Sequence, residues 1–147
     1  MRSHVRAATL LIKGLLSILC RVHAKEVGRV PRRGPLLVVT NHINFLEVPL
    51  LYTYVYPRPQ SSLIKVETWN NFFLSILAKM WEAIPIRRGT SDFAAFRAAV
   101  KVLRQQKLLL VAPEGTRTGD GRLRRGKTGI VTLAVQTGVP VMPLVHY

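Results

Sequence analysis

The sequence is poor in cysteine and in acidic side chains. Cys20 is the only cysteine among 147 residues, so no intrachain disulfide can form and a reducing compartment is expected. Asp and Glu number 7 against 22 Lys and Arg, which gives a net charge of +15. Such a charge favours a polyanionic partner, either nucleic acid, an anionic lipid surface or a phosphorylated substrate. The four histidines are scattered and lack Cys or acidic partners at metal-ligand spacing, so we predict no metal site.

Long apolar runs are also missing. The N-terminal run over residues 7–20 is interrupted by Lys13 and is too short to predict a transmembrane helix. Basic residues flank the run, which favours an amphipathic helix in the membrane interface, within an N-terminal unit of residues 1–28. A core-packing helix and a cleaved signal peptide are the alternatives for the same pattern.

The remaining residues, 29–147, predict one domain in which strands alternate with helices. A hydrophobic fraction of 48% is enough to form a buried core. We predict strands at 36–40, 63–64, 83–86, 108–112 and 141–145, and helices at 48–56, 68–80, 93–103 and 128–137, the third of these capped by Ser91. This alternation predicts an α/β fold with a largely parallel sheet flanked by helices. Pro85 indicates either that the third strand lies at a sheet edge or that the proline lies at a strand end. Because the chain stops just after an apolar strand, we expect the domain to be incomplete at its C-terminus.

Residues 41–47, Asn-His-Ile-Asn-Phe-Leu-Glu, directly follow the first strand, where ligand sites of α/β sheets collect. On a continuous helix His42 and Glu47 would point about 140° apart, since each residue turns about 100°. They can meet if His42 lies on the turn and Glu47 in the first helical turn. The carboxylate would then fix the imidazole tautomer and raise its basicity. Asn44-x-x-Glu47 also matches a capping box, which needs no catalysis.

Two further loops follow predicted strands. Adjacent Arg87 and Arg88 can hold a phosphate by bidentate hydrogen bonds, although a solvated basic turn is the commoner use of such a pair. In residues 113–118, Gly115 permits close backbone approach, Thr116 can donate a hydrogen bond and Arg117 supplies charge. An ordinary exit from a strand is the alternative for this loop.

Together these segments resemble the glycerolipid acyltransferases, typified by 1-acyl-glycerol-3-phosphate acyltransferase. Residues 41–47 resemble the first family motif, Asn-His-x-Ser-x-x-Asp, and residues 83–88 resemble the second, whose final Arg falls on Arg88. Residues 113–118 give the most specific match, to the third motif, and residues 139–144 resemble the fourth. Four motifs in the family's order make coincidence improbable. The departures are Glu47 for the usual Asp, Asn44 for Ser, Glu82 for Gly and Ala112 for an aromatic residue.

The resemblance implies a glycerolipid acyltransferase fold and the transfer of a fatty-acyl group to the hydroxyl of a lysophospholipid in phospholipid biosynthesis. The acyl donor would be acyl-CoA or acyl carrier protein, with lysophosphatidic acid as the expected acceptor and no other cofactor. His42 would be the general base and Glu47 would orient it. The phosphorylated acceptor would be bound by Arg88, Glu114, Gly115, Thr116, Arg117 and Lys127.

The implied location is the cytoplasmic face of an anionic membrane, as a peripheral or monotopic protein. A non-catalytic lipid-binding relative is the main alternative, because of the departures. A basic nucleic-acid-binding module is a further alternative, but the basic residues cluster in strand-end loops and around the first helix and do not form a recognition helix. We therefore predict no nucleic-acid partner.

Overall fold

The computed structural model describes residues 3–120 and 122–146 and contains a five-stranded sheet. All paired strands in it run parallel, in the order β3-β2-β4-β1-β5. The strands are β1 (Leu36–Thr40), β2 (Gln60–Lys65), β3 (Ile84–Ile86), β4 (Leu108–Val111) and β5 (Val141–Leu144). The predicted α/β class and parallel sheet are confirmed, and the strand containing Pro85 lies at an edge as expected.

Helices connect the strands and flank the sheet. They are α1 (Ser3–Leu19), α2 (Glu47–Val55), α3 (Phe72–Met80), α4 (Phe93–Arg104) and α5 (Gly129–Thr137), with 3-10 turns at Lys25–Arg29 and Val66–Asn70. Helix α5 ends at Gly138, whose φ of 62° is the left-handed conformation that glycine adopts most readily.

Two details of the predicted helices are wrong. The helix predicted over 68–80 begins only at Phe72, because the Asn71 side chain accepts the N–H of Leu74 at 3.0 Å and caps the helix there. Helix α4 is capped by Asp92 and not by Ser91. The Asp92 carboxylate accepts the N–H of Ala95 at 3.0 Å.

Strand β1 lies between β4 and β5 in the sheet and is buried on both faces. Its side chains alternate, so Leu36 and Val38 pack with Leu51 of α2, whereas Leu37 packs on the opposite face against α4 and α5. Burying a leucine side chain contributes about 1.5–3 kcal/mol. This explains why the continuous apolar run at 36–40 forms a central parallel strand.

Because the strands are parallel, they all end at one edge of the sheet, here called the carboxyl edge. The loops that follow the strands gather at this edge. In the sheet β1 lies between β4 and β5, with Val39 paired to both Val111 and Pro143. The segment after β1 therefore lies between the segments after β4 and β5, and it carries His42.

Helix α1 packs against the domain along one side only. Val5, Thr9 and Leu16 are buried, and the Thr9 hydroxyl accepts the indole N–H of Trp81 at 3.3 Å. On the other side Leu11 and Ile18 are 75% and 84% exposed. The helix ends at Leu19, so it does not extend through residue 28. Among the described residues, no helix is both long enough and apolar enough to cross a membrane.

Candidate active site

His42 and Glu47 meet at the carboxyl edge of the sheet. The imidazole Nδ1 lies 2.7 Å from Oε2 of Glu47, and the Glu47 carboxylate is buried. His42 sits on the irregular segment after β1, while Glu47 is the first residue of α2. The two side chains therefore meet in the arrangement that their spacing required.

The same carboxylate also holds the turn before α2. Oε1 of Glu47 accepts the N–H of Asn44 at 2.7 Å and also the N–H of Ile43. The Asn44 side chain in turn accepts the N–H of Leu46 at 2.7 Å. One oxygen of Glu47 thus holds the turn before α2 and the other contacts His42, while the cap residue Leu46 has no side-chain hydrogen bond, so the predicted capping box is not formed. A rigid turn of this kind fixes the position of the imidazole.

The contact with Glu47 sets the tautomer of His42. An ionised carboxylate only accepts hydrogen bonds, so Nδ1 must carry a proton to donate to it. The neutral imidazole then has its unprotonated nitrogen at Nε2, where it can remove a proton from a hydroxyl group. When the ring becomes cationic, the adjacent carboxylate stabilises it.

Glu114 ties the turn that carries His42 to the segments that follow β4. Its Oε1 accepts the N–H of His42 at 3.1 Å, and its Oε2 accepts the N–H of Arg124 at 3.0 Å. The carbonyl of His42 accepts the N–H of Thr118 at 2.9 Å. Glu114 is only 4% exposed, so its carboxylate is engaged with backbone amides inside the protein. Glu114 was predicted to contact the substrate. In the structure its two carboxylate oxygens each accept a backbone N–H group.

Residues 115–117 and Lys127 lie together beside this turn. Gly115 has a φ of +69°, which disfavours any residue with a Cβ. A Cβ at Gly115 would lie 3.7 Å from Cε of Lys127, an ordinary contact distance. The backbone conformation therefore disfavours a larger residue at this position, and a lack of space does not. The backbone N–H of Lys127 donates to the carbonyl of Pro113 at 2.8 Å. Thr116 and Arg117 are exposed and able to contact a ligand.

Arg88 follows β3, at the same edge of the sheet. Partial burial lowers the pKa of its guanidinium; the carboxylate of Glu67 opposes this shift and the cation of Arg117 adds to it. Arg117 follows β4, which is two positions from β3 in the sheet. Asp92 fixes the loop, because its Oδ2 accepts the N–H of Arg87 at 3.0 Å.

Two neighbours of the site were not predicted from the sequence. The side chain of Asn41 accepts the N–H of His146 and donates to its carbonyl, both at 2.8 Å, which joins the ends of β1 and β5. Burial lowers the pKa of His146; Glu47 opposes the shift and His42 adds to it. Lys65 is the last residue of β2. It pairs with Ile86, two residues before Arg88. Aligning the ends of all five predicted strands would have found both residues.

Comparison with known proteins decides the family. The Acyltransferase family matches residues 20–147 of the chain. The chain belongs to this family. It is 44% identical to the 1-acyl-sn-glycerol-3-phosphate acyltransferase of Limnanthes alba over 92% of the chain and 49% of that protein. It is 31% identical to the lyso-ornithine lipid O-acyltransferase of Pseudomonas aeruginosa over 91% of the chain and 52% of that protein.

A solved structure has the same fold. The crystal structure of the 1-acyl-sn-glycerophosphate (LPA) acyltransferase PlsC from Thermotoga maritima matches with a TM-score of 0.70 and 24% identity, covering 97% of this chain and 60% of that one. The predicted acyltransferase-like fold is thereby confirmed. The chain spans about half the length of the curated relatives it matches first.

One departure from the family motifs has a structural consequence. Glu82 occupies the position that is usually Gly in the second motif, and its φ is +53°. A left-handed backbone at this position explains why glycine is common there. In this chain the Glu82 carboxylate forms an ion pair with Lys107 at 2.6 Å. The strained position is thus occupied by a side chain with a partner.

Proposed function

We propose that this protein transfers a fatty-acyl group from a thioester to the free hydroxyl of a lysophospholipid, with lysophosphatidic acid as acceptor and phosphatidic acid as product. The observation that carries the proposal is the 2.7 Å contact between His42 and the buried Glu47. A histidine held by a carboxylate in this way is an activated general base.

The chemistry follows from the free nitrogen of the His42 ring. Nε2 removes the proton of the acceptor hydroxyl as its oxygen attacks the thioester carbonyl. The tetrahedral intermediate collapses, the carbon–sulfur bond breaks, and the thiolate takes the proton from the imidazolium. An ester and a free thiol result. Glu47 stabilises the imidazolium between the two proton transfers, and no acyl-enzyme is needed.

The cations around the dyad favour a phosphorylated acceptor. Arg88, Arg117 and Lys127 lie in the loops of the carboxyl edge and bring positive charge to the edge that carries His42. Arginine suits phosphate because its planar guanidinium donates two parallel hydrogen bonds. A glycerol phosphate bound there would hold its neighbouring hydroxyl within reach of Nε2. One relative is named for a glycerol-phosphate acceptor and another for lyso-ornithine lipid. The acceptor head group must therefore be tested directly.

Further proposals concern the donor and the location. Acyl-CoA and acyl carrier protein both supply the thioester that the mechanism requires, and we propose that no other cofactor takes part. We also propose that the protein is peripheral or monotopic on the cytoplasmic face of an anionic membrane. Exposed Leu11 and Ile18 on α1, together with the net charge of +15, support an interfacial contact.

An acyl-transfer assay tests the proposed function. The purified chain is incubated with lysophosphatidic acid or a lyso-ornithine lipid, each with palmitoyl-CoA or palmitoyl-acyl carrier protein, and products are identified by mass spectrometry. We expect phosphatidic acid from lysophosphatidic acid with at least one donor. Preference for the ornithine lipid would reassign the acceptor. Lipid binding without any acylated product would favour the non-catalytic alternative.

A further inference from the structure

Residues 113–127 form a closed loop between β4 and α5. The N–H of Lys127 donates to the carbonyl of Pro113 at 2.8 Å, so the two ends of the loop meet. Gly126 also lies against Pro113, where a Cβ on the glycine would be 3.3 Å from the Cβ of the proline. Compact surface loops whose ends meet are frequently functional. We call this segment the basic loop, because Lys and Arg outnumber Asp and Glu in it by five to two.

The basic loop carries more positive charge than one phosphate group needs. Both of its acidic side chains are engaged with the backbone: Glu114 accepts two N–H groups, and Asp120 accepts the N–H of Arg122 at 3.2 Å. No ion pair between described residues includes a cation of this loop. Its five cationic side chains are all exposed: Arg117, Arg122, Arg124, Arg125 and Lys127.

Three of these cations have no part in the proposed acceptor site. Arg117 and Lys127 are assigned to the acceptor phosphate. The others are here called the arginine triplet, and all three lie within residues 122–125. Like charges so close together in sequence repel one another, and an anionic ligand relieves the repulsion. The triplet therefore favours a second anionic ligand beside the acceptor.

Glu114 holds the arginine triplet beside the proposed base. One of its oxygens accepts the N–H of His42 at 3.1 Å, and the other accepts the N–H of Arg124 at 3.0 Å. The backbone of the triplet and the backbone of His42 are thus bonded to the same buried carboxylate. A ligand whose reacting atom lies at His42 can therefore extend over the triplet, and the acyl donor is the second ligand that the reaction requires.

The concentration of charge distinguishes between the two kinds of donor. A CoA thioester carries a diphosphate and a 3′-phosphate on its nucleotide, and guanidinium groups bind phosphate through charge-assisted hydrogen bonds. A protein carrier presents carboxylates spread over a contact surface on the order of 800 Å². Three arginines within residues 122–125 match the compact phosphate groups of the nucleotide.

We propose that Arg122, Arg124 and Arg125 bind the phosphate groups of CoA in an acyl-CoA donor. The inference rests on the proposed function and deepens it, because it names the donor. The two anionic substrates are then held by separate cations, and the thioester and the acceptor hydroxyl meet at Nε2 of His42. After the carbon–sulfur bond breaks, free CoA leaves with the proton on its thiol.

Binding of CoA alone tests the site without any turnover. The full chain and a triple variant, Arg122→Ala, Arg124→Ala and Arg125→Ala, are titrated with CoA and with dephospho-CoA, which lacks the 3′-phosphate, in a calorimeter. The triple variant should bind CoA about tenfold to a hundredfold more weakly, with a smaller loss for dephospho-CoA. The N–H that Glu114 accepts is still present in alanine, so circular dichroism should show a folded protein. If the triple variant does not fold, the single variants Arg122→Ala and Arg125→Ala replace it.

A matched control removes the same charge elsewhere. Arg97→Ala, Lys101→Ala and Arg104→Ala together remove three exposed cations of α4. This control should bind CoA like the unaltered chain, because a site built from the arginine triplet does not depend on net charge alone. An equal loss of CoA affinity in both triple variants would overturn the proposal, and so would a failure of the unaltered chain to bind CoA.

Donor kinetics locate the effect on the phosphate groups. For the triple variant the KM for palmitoyl-CoA should rise about tenfold or more, while the KM for palmitoyl-pantetheine, which lacks phosphate, and the KM for lysophosphatidic acid should stay unchanged. An equal rise for both thioesters, a rise confined to lysophosphatidic acid or to palmitoyl-acyl carrier protein, or a loss of binding to phosphatidylglycerol vesicles with normal CoA binding would contradict it. Weakened CoA binding by the triple variant, in a chain that shows no acyl transfer, would remove the proposed function and support the CoA site.

Discussion

The N–H of His42 donates to Oε1 of Glu114 at 3.1 Å, so the proposed base and the loop after β4 are held as one unit. The other oxygen of Glu114 accepts the N–H of Arg124. Neither oxygen is free of a backbone partner, and a carboxylate would repel the phosphate of an acceptor. We therefore propose that Glu114 acts on the reaction through His42, as a positioning residue.

Glu114→Gln tests this positioning. Glutamine has one acceptor oxygen, so its amide group would face one of the two backbone N–H donors. Leaving a buried donor without a partner costs about 1–3 kcal/mol, and we expect that loss in urea unfolding. The displaced turn should lower kcat about tenfold or more, with little change in the KM for lysophosphatidic acid. A raised KM with an unchanged kcat would instead show that Glu114 contacts the acceptor.

The phosphate site is tested by Arg88→Ala and Arg117→Ala. Each change removes a charge-assisted hydrogen bond, which contributes about 1.5–3 kcal/mol, so the KM for the phosphorylated acceptor should rise roughly tenfold to a hundredfold. The KM for the acyl donor should change far less. Arg104→Ala, an exposed cation at the far end of α4, is the matched control. Wild-type acceptor KM in both variants would place the phosphate elsewhere.

The sequence was most informative where one local rule decided the structure. The buried run at 36–40 predicts a strand, and the glycine after α5 marks the end of a helix. Four motifs in order indicate the family. Glu47 was ambiguous, because capping and catalysis need the same residue at the same spacing. In the structure one oxygen of this carboxylate holds the turn before α2 and the other contacts His42. Lys65 and His146 could not be placed from local patterns, because only the order of the strands brings the ends of β2 and β5 to the edge that carries His42.

His146 gives the stability of the protein a pH dependence. Burial lowers the pKa of His146 in the folded state below its ordinary value of 6.5. Just below that value the unfolded chain binds more protons, so the free energy of unfolding falls as the pH drops through this window. We expect the urea midpoint to decrease between pH 7.5 and 5, and His146→Gln to reduce the decrease. The same pH dependence in both proteins would contradict the burial of this imidazole.

The orientation of His42 by Glu47 is tested with two substitutions. Glu47→Gln keeps an oxygen for the N–H of Asn44, so the thermal stability should change little. Its amide would donate to Nδ1, which moves the imidazole proton to Nε2 and removes the base. We expect kcat to fall roughly 10²–10⁴-fold. Glu47→Asp keeps the charge and should retain substantial activity. Equal activity of the Gln variant and the unaltered chain would show that Glu47 only holds the turn before α2.

The most direct test of the account is the rate of phosphatidic acid formation by His42→Ala. General-base catalysis contributes roughly 10²–10⁴-fold, so the turnover of the folded variant should fall at least a hundredfold with saturating lysophosphatidic acid and acyl-CoA or acyl carrier protein. The backbone N–H that Glu114 holds is still present in alanine, so the turn and the unfolding midpoint should be preserved. Near-normal turnover by the folded variant would contradict the central claim that His42 is the base.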